Sequence, residues 1–194
     1  MMEKYNKEKA IVFNTYQMYR WDRLDIVKQA HKAATEGNYF LGAKFVRGAY
    51  MEKERERAEE KGYKDPIQPD KDATDRDYNL ALKYCIENIQ NITIFNGTHN
   101  EYSSSYMVEL MEEHGIAKDD IRFWFSQLYG MSDHISFNLT EAGYNVAKYL
   151  PYGPVNHVLP YLLRRAEENT SVKGQSSREL QLIETEKNRR KNSK

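Results

Sequence analysis

The sequence predicts an α/β fold on a parallel sheet, from two observations. Five short runs of apolar, β-branched and aromatic residues alternate with stretches of helical periodicity. Strict strand–helix alternation requires right-handed βαβ crossovers and therefore parallel strands. The strand runs are Ala10 to Tyr19, Phe40 to Tyr50, Ile92 to Thr98, Ile121 to Leu128 and Tyr144 to Leu150. The first helical segment, RLDIVKQAHKAATEGN, sets Leu24, Val27, Ala30 and Ala34 on one face and stops at Gly37. DATDRDYNLALKYCIENIQ repeats apolar residues at Leu80, Leu82, Tyr84, Cys85 and Ile89. EYSSSYMVELMEEHGI and HISFNLTEAG each end in glycine, and VNHVLPYLLRRAEEN opens after Tyr-Gly-Pro with Asn156 as candidate cap. Met51 to Asp77, highly charged and carrying two prolines, is expected to be a helix followed by a long surface loop. The tail from Thr170 to Lys194 is expected to be a helix that frays.

Composition narrows the classes. Lys plus Arg and Asp plus Glu are 29 each, so no net charge argues for nucleic acid or an anionic membrane. Fifteen tyrosines are too many for a disordered chain. The single cysteine, Cys85, allows no internal disulfide or CxxC site and is expected in the core. No apolar run reaches the roughly 18 residues that span a bilayer, and MMEKYNKEKA is too polar for a signal peptide. Neither GxGxxG nor GxxxxGK[ST] occurs, which removes the dinucleotide fingerprint and the P-loop. There is no GxSxG elbow to support acyl transfer.

An open doubly wound sheet and a barrel both fit the alternation, and both put chemistry at the carboxyl ends of strands. The polar residues there are Gln17, Lys44, Arg47, Thr98, His99, Asn100, Gln127 and Tyr149. In KFVRGAY, small residues after Arg47 allow close backbone approach, and cations beside them could stabilise negative charge. His99 could act as base or hydrogen-bond partner; it lacks a second ligand at metal spacing, so no metal site is expected. His31, His114, His134 and His157 fall on helices or loops and are expected to be structural or exposed. Tandem Arg164-Arg165 fits planar carboxylate recognition, but pattern alone favours a solvated helix face paired with Glu167 and Glu168.

Taken in order, KFVRGAYMEKER, IFNGTHN, FSQLYGM, KYLPYGP and LPYLLRRAEENTSVKGQ resemble the motifs of the proline dehydrogenase family. The resemblance implies a (β/α)8-type barrel, here a partial TIM-like barrel of about five C-terminal strand–helix units. Residues 1–170 would belong to that barrel domain and 171–194 to a polar helix and tail. It also implies non-covalent FAD and oxidation of L-proline to Δ1-pyrroline-5-carboxylate, with electrons passed to a quinone. Lys44 and Tyr149 are then the catalytic residues, Lys44 beside the flavin and Tyr149 against the proline ring. Arg164 and Arg165 hold the substrate carboxylate, and Tyr50 closes the same pocket. Arg47, Gly48, Ala49, Gln17, Thr98 and His99 line the cofactor, and Glu168 steadies Arg165. Lys71 and Thr74 match a cofactor-contacting loop.

A full barrel has eight strands and about 250 residues. The five strands counted here imply a truncated chain without the family's first three strands, with open sheet edges prone to self-association and activity dependent on the missing part. The placement expected is cytoplasmic, of bacterial type, with peripheral contact to the inner membrane through the quinone. A non-catalytic assembly module of the same fold and a flavoenzyme acting on hydroxyproline are the alternatives.

Overall fold

The computed structural model describes residues 1–171 and 175–192, with side chains through residue 165 and from residue 180 to 192. It packs as two units, Met1–Lys148 and Tyr149–Lys194.

The first unit carries the sheet. Its strands are β1 (Asn14–Gln17), β2 (Leu41–Val46), β3 (Ile92–Gly97), β4 (Phe123–Leu128) and β5 (Val146–Tyr149, whose last residue opens the second unit). They lie in the order β1-β2-β3-β4-β5, and the β1–β2, β2–β3 and β3–β4 pairs are parallel. That order decides between the two architectures that strand–helix alternation left open, and it bears out the barrel that the family resemblance implies. A doubly wound sheet reverses direction at a switch point, whereas a barrel adds each strand beside the last. The fold is α/β, a five-strand portion of a TIM-like barrel.

Among the described residues the helices are α1 (Met2–Tyr5), α2 (Arg23–Glu36), α3 (Met51–Lys61), α4 (Lys71–Glu87), α5 (Glu101–Glu113) and α6 (Asp133–Glu141) in the first unit, and α7 (Val155–Ser171) and α8 (Gln175–Asn192) in the second. Alternation along the strands separates two faces. Leu41, Ala43 and Phe45 of β2, Ile92 and Ile94 of β3, and Phe123 and Phe125 of β4 are all buried on the helix side. They meet Val27 and Ala34 of α2, Tyr78, Leu82 and Cys85 of α4, and Met107 and Leu110 of α5. Cys85 is thus a core residue, as its place in the periodicity predicts. The opposite face carries Lys44, Phe95 and Trp124. Phe95 stacks on Trp124 at 5.7 Å and meets the Phe13 ring edge-on at 5.1 Å.

Several expectations are corrected. The regular strands are shorter than the apolar runs. Before β1, the chain is held by Asn6 instead of a strand partner: its side chain donates to the carbonyls of Val12 and Phe40 and accepts from the amides of Ile11 and Val12, at 2.8–3.0 Å. After β2, positive φ at Gly48 ends the strand. The charged stretch after α3 is not wholly a surface loop, because Ile67 and Gln68 are buried and Ile67 bridges to Arg20. The highly polar sequence hides this inward tuck. Asn156 is no cap, since α7 already begins at Val155 and Pro154 accepts from the amides of His157 and Val158.

The fully buried Asn6 has both its amide donor and its acceptor satisfied. Replacing it with alanine orphans backbone groups that water cannot reach. Asn6→Ala is expected to lower unfolding free energy by about 3 kcal/mol in urea denaturation.

Candidate active site

The strand ends gather most of the polar residues singled out from the sequence. Lys44 stands on β2 beside Phe95 of β3, its register partner, and Gly97 leaves room for its stem. A Cβ at Gly97 would lie 3.3 Å from the Lys44 Cε and 2.8 Å from the Phe45 carbonyl oxygen. Burial pushes the Lys44 ammonium below its ordinary value, because desolvation disfavours the charged form.

Arg47, just past β2, is held on three sides. Its Nε donates to Asp75 Oδ1 at 2.5 Å, one terminal nitrogen to Thr98 Oγ1 at 2.7 Å and the other to Ser103 Oγ at 2.9 Å. The guanidinium also lies over the Tyr78 ring at 4.3 Å, a cation–π contact. Asp75 accepts from Lys71 as well. Burial raises the Asp75 carboxyl, but hydrogen bonds from Lys71 and Arg47 outweigh it and hold the group below the usual range. Thr98 passes the constraint on, since its Oγ1 also accepts from the Asn100 amide. Asn100 in turn caps α5 through the Ser103 amide.

Gly48 follows with φ of +96°. A Cβ there would sit 1.9 Å from the Tyr19 ring and 2.5 Å from Gln17 Oε1, so only glycine fits. The Tyr19 hydroxyl donates to Glu54 of α3, which also accepts from Arg20 at 2.6 Å. Gln17, Gly48, Ala49 and the exposed Tyr50 are therefore set by one junction between β1, β2 and α3.

The third strand end carries His99, whose Nδ1 lies 2.9 Å from Ser132 Oγ. Ser132 is buried and takes φ of +50°, a conformation that is uncommon outside glycine. Gln127 is buried too, donating to the Thr98 carbonyl at 3.1 Å and accepting from Ser136 at 2.9 Å. His134 pairs with Glu101 at 2.9 Å, while His31 bridges Tyr84 and Asn91 far along the helices.

Lys44, Arg47, Gly48, Ala49, Tyr50, Gln17, Thr98 and His99 all belong to the first unit, at or just past the carboxyl ends of β1 to β3. In the second unit, the Tyr149 and Tyr161 rings meet edge-on at 6.0 Å, and the Arg165 guanidinium lies 5.1 Å from the Tyr161 ring centre. Arg164 is partly buried beside it in the chain. The Glu168 side chain lies outside the described residues. Thr74 is buried, with its hydroxyl on the Asp70 carbonyl in the first turn of α4. Asp75, Tyr78, Ser103 and Ser132 are the residues that sequence reasoning missed. Only Asp75 left a signal, its four-residue spacing from Lys71.

Comparison with known proteins then decides the family. A family model for proline dehydrogenase matches residues 1–178. The chain belongs to the proline dehydrogenase family. It is 46% identical over 186 residues to human proline dehydrogenase 1, mitochondrial, covering 94% of this chain and 31% of that protein. It is 44% identical over 200 residues to the Drosophila melanogaster protein of the same name, covering 98% and 29%. A hydroxyproline dehydrogenase of Xenopus laevis is 42% identical over 194 residues, covering 98% and 42%. Among solved structures, proline utilization A from Bdellovibrio bacteriovorus, inactivated by N-propargylglycine, superposes with a TM-score of 0.76. That match has 31% identity and covers 82% of this chain and 16% of that one. The chain spans about a third of the length of the human and fly relatives.

These relatives also correct the expected placement. A bacterial-type cytoplasmic protein is contradicted by fly and human relatives that are named as mitochondrial. That expectation rested on a polar N-terminal run, the lack of a membrane-spanning apolar run and the implied quinone, none of which fixes a compartment. Among the described residues, no helix is long and apolar enough to cross a membrane.

Two outcomes test this geometry. Gly48→Ala forces a side chain into the Tyr19 ring at positive φ and is expected to destabilise the chain by more than about 2 kcal/mol in urea unfolding. Asp22, Asp75 and Asp120 all have carboxyls lowered by their arginine or lysine partners. Their contribution is complete above the ordinary carboxylate value and disappears as pH falls through the lowered one. Stability should therefore decline below about pH 5, with a shallower acid limb in Asp75→Asn.

Proposed function

We propose that this chain works in the FAD-dependent oxidation of L-proline to Δ1-pyrroline-5-carboxylate, with a quinone as the next electron acceptor. The observation that carries the reading is the convergence of Gln17, Lys44, Arg47, Thr98 and His99 at successive strand ends in a chain of the proline dehydrogenase family. Residues 1–170 serve as part of the flavin-binding barrel domain and residues 171–194 as its polar helix and tail.

The donor set fits an extended, partly anionic and partly aromatic group. Two cations, an imidazole and a threonine hydroxyl stand along one rim, and the Lys44 stem runs past a glycine beside the Phe95–Trp124 stack. FAD, when bound, supplies the two-electron acceptor. Lys44 would stand beside the flavin and favour the negative charge of its reduced form. Arg47, Gly48 and Ala49 would line the cofactor, and Gln17, Thr98 and His99 would complete its site. Arg164 and Arg165 grip the substrate carboxylate, the second steadied by Glu168. Tyr149 packs on the proline ring. The grip fixes the orientation of the ring, which is where the protein accelerates the step. Proline would give up a hydride from the carbon next to nitrogen to the bound two-electron acceptor and a proton from nitrogen to solvent, leaving the C=N bond of the product.

Hydroxyproline is the second reading, supported by the frog relative and by how few contacts read one ring hydroxyl. Purified chain is mixed with FAD, freed of excess, and exposed to each substrate without oxygen. The expected result is bound flavin whose absorbance bleaches faster with L-proline than with hydroxyproline. Faster bleaching with hydroxyproline favours the second reading, and bound flavin that ignores both overturns the proposal. Arg165→Ala is expected to raise the half-saturating proline concentration about 100-fold, with flavin content unchanged.

A further inference from the structure

We propose that Asp75 is a positioning residue for the cofactor rim, acting through Arg47; the inference rests on the flavin-binding reading above. Arg47 is the side chain that crosses from β2 to the ends of β3, α4 and α5, and its three nitrogens each meet a different partner. Asp75 is the only carboxylate among those partners. Thr98 and Ser103 are neutral hydroxyls that fix direction without balancing charge.

The geometry gives this carboxylate a specific task. Asp75 grips the Nε edge, and the Tyr78 ring supports one face of the guanidinium at 4.3 Å. Each terminal nitrogen carries two N–H groups, and the bonds to Thr98 and Ser103 use one on each. A second N–H on each remains to meet an acceptor on a ligand. Without Asp75 the guanidinium would retain only neutral partners and could rotate about its stem. Thr98 would then lose its orientation, and with it the turn that leads through His99 to the Asn100 cap of α5. The Asp75 carboxylate is itself only 23% exposed and also receives Lys71, so its charge is shared within one Lys–Asp–Arg chain.

The experiment uses the full chain and reads FAD affinity by quenching of flavin fluorescence. Asp75→Asn keeps the shape and removes the charge; it is expected to weaken FAD about tenfold. Asp75→Glu restores the charge and should recover most of that loss, with circular dichroism confirming that both variants fold. The decisive comparison is a double-mutant cycle. In an Arg47→Met background, Asp75→Asn should produce no further weakening. If Asp75→Asn binds FAD as tightly as the parent, the inference is overturned while the flavin reading stands. If its effect persists in Arg47→Met and vanishes in Lys71→Met, the carboxylate works through Lys71 and the inference is overturned. A parent chain that takes up no FAD overturns the flavin reading, and this inference with it.

Discussion

A half-buried guanidinium needs acceptors where it leaves water, and Arg47 meets part of that demand by tying four elements together. Its bonds to Asp75, Thr98 and Ser103 join the end of β2 to α4, the end of β3 and α5. Hydrogen bonds to a charged group are stronger than neutral ones, so this single side chain sets the rim more firmly than the short strands could alone. The neighbouring Gly48 junction depends on the same turn, because the chain can leave β2 toward α3 only where the Tyr19 ring allows no Cβ.

Beneath the rim, the two faces of the sheet divide the labour. One face is closed by α2, α4 and α5 with aliphatic and aromatic side chains and the buried Cys85. The other face carries Lys44 among Phe95, Trp124 and Gly97. Lysine is tolerated there because its stem lies along apolar surface, while burial lowers its affinity for a proton. A strand that was apolar on both faces would make a better core and no site.

The second unit shows a related economy. Tyr161 is shared by the Tyr149 ring and the Arg165 guanidinium, so one aromatic side chain contacts two residues proposed to meet the same substrate. Arginine suits this position because its planar group can stack on a ring and still donate in its own plane. Pattern alone favoured a solvated helix face for the tandem arginines. Their partial burial, and the Arg165 guanidinium 5.1 Å from the Tyr161 ring centre, speak against full solvation.

The sequence by itself determined the strands, the helices, the α/β class and the family motifs. Each rests on local periodicity or on residues adjacent in the chain, such as Lys44 to Tyr50 or Gly97 to Asn100. It also placed the polar residues at strand ends, since alternation and strand length follow from neighbours. The family motifs pointed to the barrel, but periodicity alone could not choose between barrel and doubly wound sheet, because strand order depends on contacts between residues far apart in sequence. Nor could it find the roles of Asp75, Ser103 and Ser132. Their partners Arg47 and His99 lie 28 to 56 positions away, and no spacing rule reaches that far. The inward tuck of Ile67 and Gln68 was hidden for the same reason, as a charged stretch looks solvated until Arg20 pairs with it. Tertiary structure decided what long-range charge and shape complementarity decide: which neighbours a polar side chain has once it leaves water.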